Sequence, residues 1–262
     1  EALLGRAERS PDRQRHLIDT ANGLQTRYGK DRADVAGSVA QLLRRAKSKE
    51  RAWERLQHAI ELAAWAADEP IAAAQLVLAH DWLREDGAGP LSMERAHVLW
   101  AEARVAYFAL RYGDAESALT AALEIASARG DEALAERGEA FRADLAFYQD
   151  RFGEAETRAR RCLDAGRASD DPDIGAAAAG AAARLADLAA LRDRHEDELA
   201  HRRDALELLR KAAAPGWRER IALLNLGEAE VVAGDLRSAE AHIAEARRSA
   251  DTARDVAAPG EI

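Results

Sequence analysis

Four helical seams recur along the chain at a fixed interval: Val105-Ala106, Leu145-Ala146, Leu185-Ala186 and Leu226-Gly227. Seven positions beyond the second member of each seam stand Gly113, Gly153, Asp193 and Gly234, which follow the same interval. A period of roughly 20–50 residues marks a solenoid, whose units bury their apolar faces only against their neighbours. The spacing therefore predicts an all-α chain of stacked helix pairs, with each of those four positions ending a helix. Such arrays present long surfaces on which other molecules dock.

Composition supports the helices. Alanine is the main apolar residue and aromatics make up only 5% of the chain. Small side chains let helices approach closely, and alanine has the highest intrinsic helix propensity. Alternating β-branched runs are nearly absent, which argues against a sheet. Hydrophobic content of 48% with charged content of 32% belongs to a folded chain rather than a disordered one.

The net charge of −9 removes nucleic acid as an expected partner of the whole chain. Residues 1–55 reverse that sign, with 13 Lys/Arg against 8 Asp/Glu. Arg13, Arg15, Arg44, Arg45, Lys47 and Lys49 offer contacts to an acidic partner or polyanion, or form a solvated helix face. The single cysteine, Cys162, excludes an internal disulfide and a cysteine-built zinc site; its apolar register makes it a small buried hydrophobe. The stretch closest to a membrane span, Ile174–Leu191, is built on alanine and interrupted by Arg184 and Asp187. With no leader in view, a cytoplasmic protein without a membrane partner is expected. Beginning at Glu1 rather than Met, the chain is expected to be processed or part of a longer protein.

Ser10-Pro11-Asp12 reads as a helix start, with a helix over Arg13–Tyr28, a turn at Gly29-Lys30 and a second helix over Ala33–Lys47. Residues 1–49 form an N-terminal helical cap or the end of a preceding region, 50–255 the array of about five pairs, and 256–262 a tail. The array's expected helices are Trp53–Asp68, Ile71–Glu85, Ser92–Tyr112, Asp114–Arg129, Asp131–Asp150, Glu154–Arg167, Asp173–Leu191, His195–Ala212, Gly216–Ala233 and Leu236–Asp255. Gly130, Gly153 and Gly234 are placed as left-handed caps. The first pair lies slightly off the grid, at Trp65-Ala66.

Tyr112-Gly-Asp-Ala-Glu-Ser-Ala118 and Ala233-Gly-Asp-Leu-Arg-Ser-Ala239 carry a Gly-x-x-x-x-Ala pattern at a turn and second-helix start, continued at Ala122, Ala165, Ile243 and Ala246. This resembles the tetratricopeptide repeat (TPR) family over roughly residues 51–255. Phe152–Arg158 keeps the aromatic and glycine but puts Arg158 at the small position. In the next unit Asp193 and Glu198 replace both, and Ala205 returns to register. Units of this length resemble the long bacterial repeats attached to large ATP-binding transcription regulators and some Ser/Thr kinases. The resemblance implies a right-handed α-solenoid of antiparallel helix pairs, the first helix of each lining a concave groove.

Carried onto this sequence, the groove positions include Trp100, Tyr107, Arg111, Phe147, Arg151 and Glu228, with Ala103, Ala143, Asp187, Leu224 and Val231. Aromatic and arginine side chains are the commonest interface anchors, which singles out Trp100, Tyr107, Arg111, Phe147 and Arg151. The competing role for Trp100 and Phe147 is packing against neighbouring helices. The Lys and Asn residues that clamp a peptide's C-terminal carboxylate in related repeats are missing at these positions.

No catalytic constellation stands out. His195 and His201 stand about 240° apart around a helix, and cannot share a metal as an i, i+4 pair does. Asp170-Asp171-Pro172-Asp173 lacks the alternation and glycine of a calcium loop and reads as a helix N-terminus. Gly87–Ser92 has no following Lys-Ser/Thr to serve a phosphate. The expectation is a noncatalytic scaffold without cofactor or metal that holds a peptide or partner helix, or another domain of its own parent chain. The alternatives are an effector-sensing domain of a larger bacterial signalling protein, and self-association of the basic N-terminal region with the acidic remainder.

Overall fold

The computed structural model describes residues 11–28, 32–214 and 216–257. Ser10, the Gly29-Lys30 turn and residues 258–262 of the expected tail lie outside them. The described residues form twelve helices: α1 Pro11–Tyr28, α2 Ala33–Arg45, α3 Lys49–Trp65, α4 Glu69–Glu85, α5 Met93–Phe108, α6 Tyr112–Arg129, α7 Glu132–Tyr148, α8 Phe152–Ala168, α9 Pro172–Ala190, α10 His195–Lys211, α11 Gly216–Val232 and α12 Leu236–Ala257. Every expected helix is present, and no described residue is in a strand.

Most of these helices stop in the same way. Lys47, Ala67, Gly87, Leu110, Asp150, Asp193, Ala213 and Gly234 take positive φ between 47° and 83° just past a helix. After Leu110 the Arg111 N–H donates to the Ala106 carbonyl, and after Asp150 the Arg151 N–H donates to Ala146. These bonds satisfy carbonyls that the helix end would leave open. The left-handed residues, Gly130 included, recur 20 or 21 positions apart, except for steps of 23 from Gly87 to Leu110 and 43 from Asp150 to Asp193. At the α8–α9 junction Ser169 is extended instead.

This pattern corrects the sequence register. Gly113 and Gly153 do not end helices; each is the second residue of the next one, α6 or α8. The turning residues are Leu110 and Asp150, three positions earlier, whereas Asp193 and Gly234 do turn the chain. Positions three apart share a helix face, so a seam slipped by three still reads as in register. The small-residue positions move with the turn. Five positions after six of the nine left-handed residues come Ala52, Ala72, Ala115, Ala155, Glu198 and Ala239, all buried, while after Gly87, Gly130 and Ala213 come half-buried Ser92, Ala135 and Arg218. Twelve after the same six come Ala59, Ala79, Ala122, Cys162, Ala205 and Ala246, likewise buried. The small position in α8 is thus Ala155 rather than Arg158, and in α6 Ala115 rather than Ala118. Burial pushes the Cys162 thiol up to about 12, so the residue packs as a hydrophobe.

Two compact units meet in sequence at Arg129 and Gly130. In the first, consecutive helices pack in turn and α3 also packs on α5, around Val39, Leu43, Leu56, Ile60, Trp82 and Val98. In the second, α7 packs on both α8 and α9, the chain continuing to α10 and α11, around Ala143, Ala159, Cys162, Ala178, Leu185 and Leu188. Contact of one pair's first helix with the next pair's first helix is the stacking of a solenoid. The seams Val105-Ala106, Leu145-Ala146, Leu185-Ala186 and Leu226-Gly227 are all buried. In the earliest pair the buried counterpart is Ala63-Ala64, while Trp65 is 54% exposed.

An L-residue with positive φ costs about 1 kcal/mol that glycine avoids. Leu110 has φ 59° and is 72% exposed, so its side chain contributes little packing. Leu110→Gly is expected to raise unfolding stability by about 1 kcal/mol in urea titrations. A loss of stability would contradict the assigned turn.

Candidate interaction surfaces

In the first unit, Trp100 of α5 is only 8% exposed and belongs to the packing. Tyr107 is half-buried at the end of the same helix, its ring 5.2 Å from Phe108 and 6.0 Å from Tyr112. Arg111 opens α6 and places Nη1 3.1 Å from the Asp114 carboxylate in its first turn. The second unit carries the same arrangement one repeat further along. Phe147 lies 5.3 Å from Tyr148 and 5.6 Å from Phe152, and Arg151 places Nη1 2.5 Å from Glu154. Both arginines therefore steady a helix start, where an acidic residue also opposes the dipole.

Phe147 is half-buried and carries over its ring a residue that stands in the sequence only as a break in an apolar run. The Arg184 guanidinium lies 4.3 Å from the Phe147 ring and 4.9 Å from Tyr148. It donates from Nε to Asp144 at 2.9 Å and from Nη1 to Asp187 at 2.8 Å. Burial works against its charge, but Asp144 and Asp187 outweigh that pull and its pKa is raised. Arg202 donates to the other Asp187 oxygen at 2.7 Å and stands 3.6 Å from Glu198. Alternating charges thus tie α7, α9 and α10 together. Glu198 occupies a position where other units carry alanine, which was the available sequence signal.

One open apolar stripe of the second unit is on α11. Leu224 is 44% exposed, Val231 48%, and Glu228 between them is exposed, forming one i, i+4, i+7 stripe. Two positions beyond Glu228, Glu230 is buried, and His242 of α12 lies 2.8 Å from its carboxylate through Nδ1. Of the other groove positions, Ala103 and Ala143 are fully buried and cannot line a groove. Phe147 and Arg151 flank the α7–α8 turn, Tyr107 and Arg111 the α5–α6 turn, and Glu228 stands on a different helix from either.

The N-terminal basic residues are not one open face. Arg44 is held by Asp86 at 2.6 Å and lies 4.9 Å from the Trp82 ring, and Lys49 reaches Asp86 at 3.2 Å. Hydrogen bonding from Arg44 brings the Asp86 carboxyl down to about 2. His195 and His201 face different carboxylates, Glu198 and Asp204, each at 3.7 Å. Among the described residues no group of three or more His, Cys, Asp or Glu is placed to hold a metal ion, and no helix is long and apolar enough to cross a membrane.

The fold is an all-α solenoid of consecutive helix pairs. It is similar to BtubC (BKLC) from P. vanneervenii over 88% of this chain and 92% of that one, with a TM-score of 0.54 and 17% sequence identity. It is also similar to the apo form of RapI over 91% of this chain and 66% of that one, with a TM-score of 0.54 and 11% identity. Both likenesses are ones of fold. No protein-family model matches the chain, and no curated protein matches it.

Proposed function

We propose that this chain is a noncatalytic TPR-like scaffold, cytoplasmic and bacterial, that holds a peptide or helix of a protein partner. The observation carrying this reading is the stripe Leu224, Glu228 and Val231, an apolar strip with a single carboxylate on the first helix of the last pair. It suits an amphipathic helix with apolar anchors and a lysine or arginine opposite Glu228. The partner is a separate protein or another domain of the parent chain. Tyr107 and Arg111, and Phe147 and Arg151, extend the contact surface of their own units at the turns. Trp100, being buried, shapes the surface from beneath.

Peptides selected by display against the intact chain test this reading. They should be amphipathic and basic, and Leu224→Asp with Val231→Asp should weaken them at least about tenfold, a loss of about 1.4 kcal/mol or more. Both residues are half-exposed, so far-UV circular dichroism should not change. Peptides indifferent to both substitutions would overturn the α11 assignment.

A further inference from the structure

Two turns between paired helices are packed by aromatic pairs, and a third has neither ring. Three positions before the left-handed Leu110 and two after it stand Tyr107 and Tyr112, their rings 6.0 Å apart. The same positions about Asp150 carry Phe147 and Phe152, 5.6 Å apart. About the left-handed Ala67 they carry Ala64 and Glu69. At that turn there is instead a cavity of about 140 Å³, which both Ala64 and Glu69 line.

Its walls are apolar, with Ala63, Ala64 and Ala72 from α3 and α4 and with Val105 and Phe108 from α5. An apolar cavity of about this size holds a guest as large as benzene. The charged residues lining it are Asp68 and Glu69 alone. Asp68 Oδ1 accepts the Ile71 N–H at 3.2 Å, which caps α4 and leaves Oδ2 for another donor. Glu69 is exposed.

The charges nearby agree in sign. Residues 61–72 and 102–116 hold the carboxylates Glu61, Asp68, Glu69, Glu102, Asp114 and Glu116 against Arg104 and Arg111, a balance of −4. Glu102 is held by His80 at 2.6 Å, Asp114 by Arg111 at 3.1 Å, and Arg104 lies 5.1 Å from the Phe108 ring. The first turn of α2, which also packs on α3, adds only the pair Arg32–Asp34 at 2.8 Å.

We infer that this cavity seats a lysine side chain presented by a partner protein, its aliphatic stem against the apolar walls and its ammonium at Asp68 and Glu69. A long cationic side chain uses both parts of the site, because it buries its stem and keeps its head near water. Trp65 and Leu110 adjoin the lining residues Ala64 and Ala109 in sequence and are 54% and 72% exposed. They offer apolar surface to the partner residues on either side of the lysine, which favours a lysine within a chain over a free amine. The seat lies in the first unit and is independent of the α11 stripe.

The test is NMR titration of the full chain, labelled at alanine and valine methyls, with three probes: acetyl-Leu-Lys-Leu-amide, the same peptide with norleucine for lysine, and n-butylamine. The lysine peptide should shift the Ala64, Ala72 and Val105 methyls with a Kd on the order of millimolar. It should bind at least about threefold more tightly than either other probe, and Glu69→Gln should weaken it by about the same factor. Glu69→Phe, which puts a ring where Phe152 stands in the second unit, should abolish the shifts and leave far-UV circular dichroism unchanged. Leu224→Asp with Val231→Asp should change nothing. Equal binding of the norleucine peptide would remove the carboxylates from the site and overturn the proposal. Tighter binding of n-butylamine would make a free amine the occupant and overturn it too. So would shifts that survive Glu69→Phe, or none below about 50 mM peptide.

Discussion

Replacing Arg184 with leucine should lower stability by about 3 kcal/mol, the largest single-residue loss expected outside the aliphatic core. Its side chain is 11% exposed and bridges Asp144 and Asp187, themselves 26% and 31% exposed. The cost arises less from the lost attraction than from the half-buried Asp144 carboxylate losing the cation that bridges it to Asp187, which then keeps Arg202 alone. Asp144→Asn in the same background should therefore recover part of the loss, the non-additivity expected of groups in one network. Urea midpoints of the single and double variants give both numbers. A loss below about 1 kcal/mol would show that the network contributes little.

Gly166→Val should cost a comparable amount, about 3 kcal/mol, for a steric reason. A Cβ at Gly166 would lie 2.1 Å from the Ala178 Cβ and 3.3 Å from the Ile174 carbonyl oxygen, so α8 and α9 would have to separate. Combining it with Ala178→Gly should restore part of the stability. Gly180 also sits inside a helix, but a Cβ there meets nothing within 4 Å. Gly180→Ala should accordingly gain about 1 kcal/mol from helix propensity alone. If both glycines respond alike, the close approach of α8 and α9 is wrong.

The helices themselves were legible in the sequence, because apolar seams at a fixed interval specify both their number and their pairing. The turns were less legible. Leu110 and Asp150 take a left-handed conformation that glycine favours, while Gly113 and Gly153 nearby attract the assignment and lie inside helices. The buried ionic chain was legible only as two breaks: Arg184 in an alanine run and Glu198 at an alanine position. The candidate site divides in the same way. A repeat pattern gives the face of a helix on which a residue stands, but not whether another helix covers that face. Ala143 and Trp100 are covered; Leu224 and Val231 are open.

On the proposed reading, the first helix of the last pair presents the partner-binding face. Amide chemical-shift mapping with a display-selected peptide tests it most directly. The largest perturbations are expected at Leu224, Glu228 and Val231, with smaller ones along the rest of α11. Perturbations concentrated on α12 or on the outer face of α10, with α11 unchanged, would contradict it.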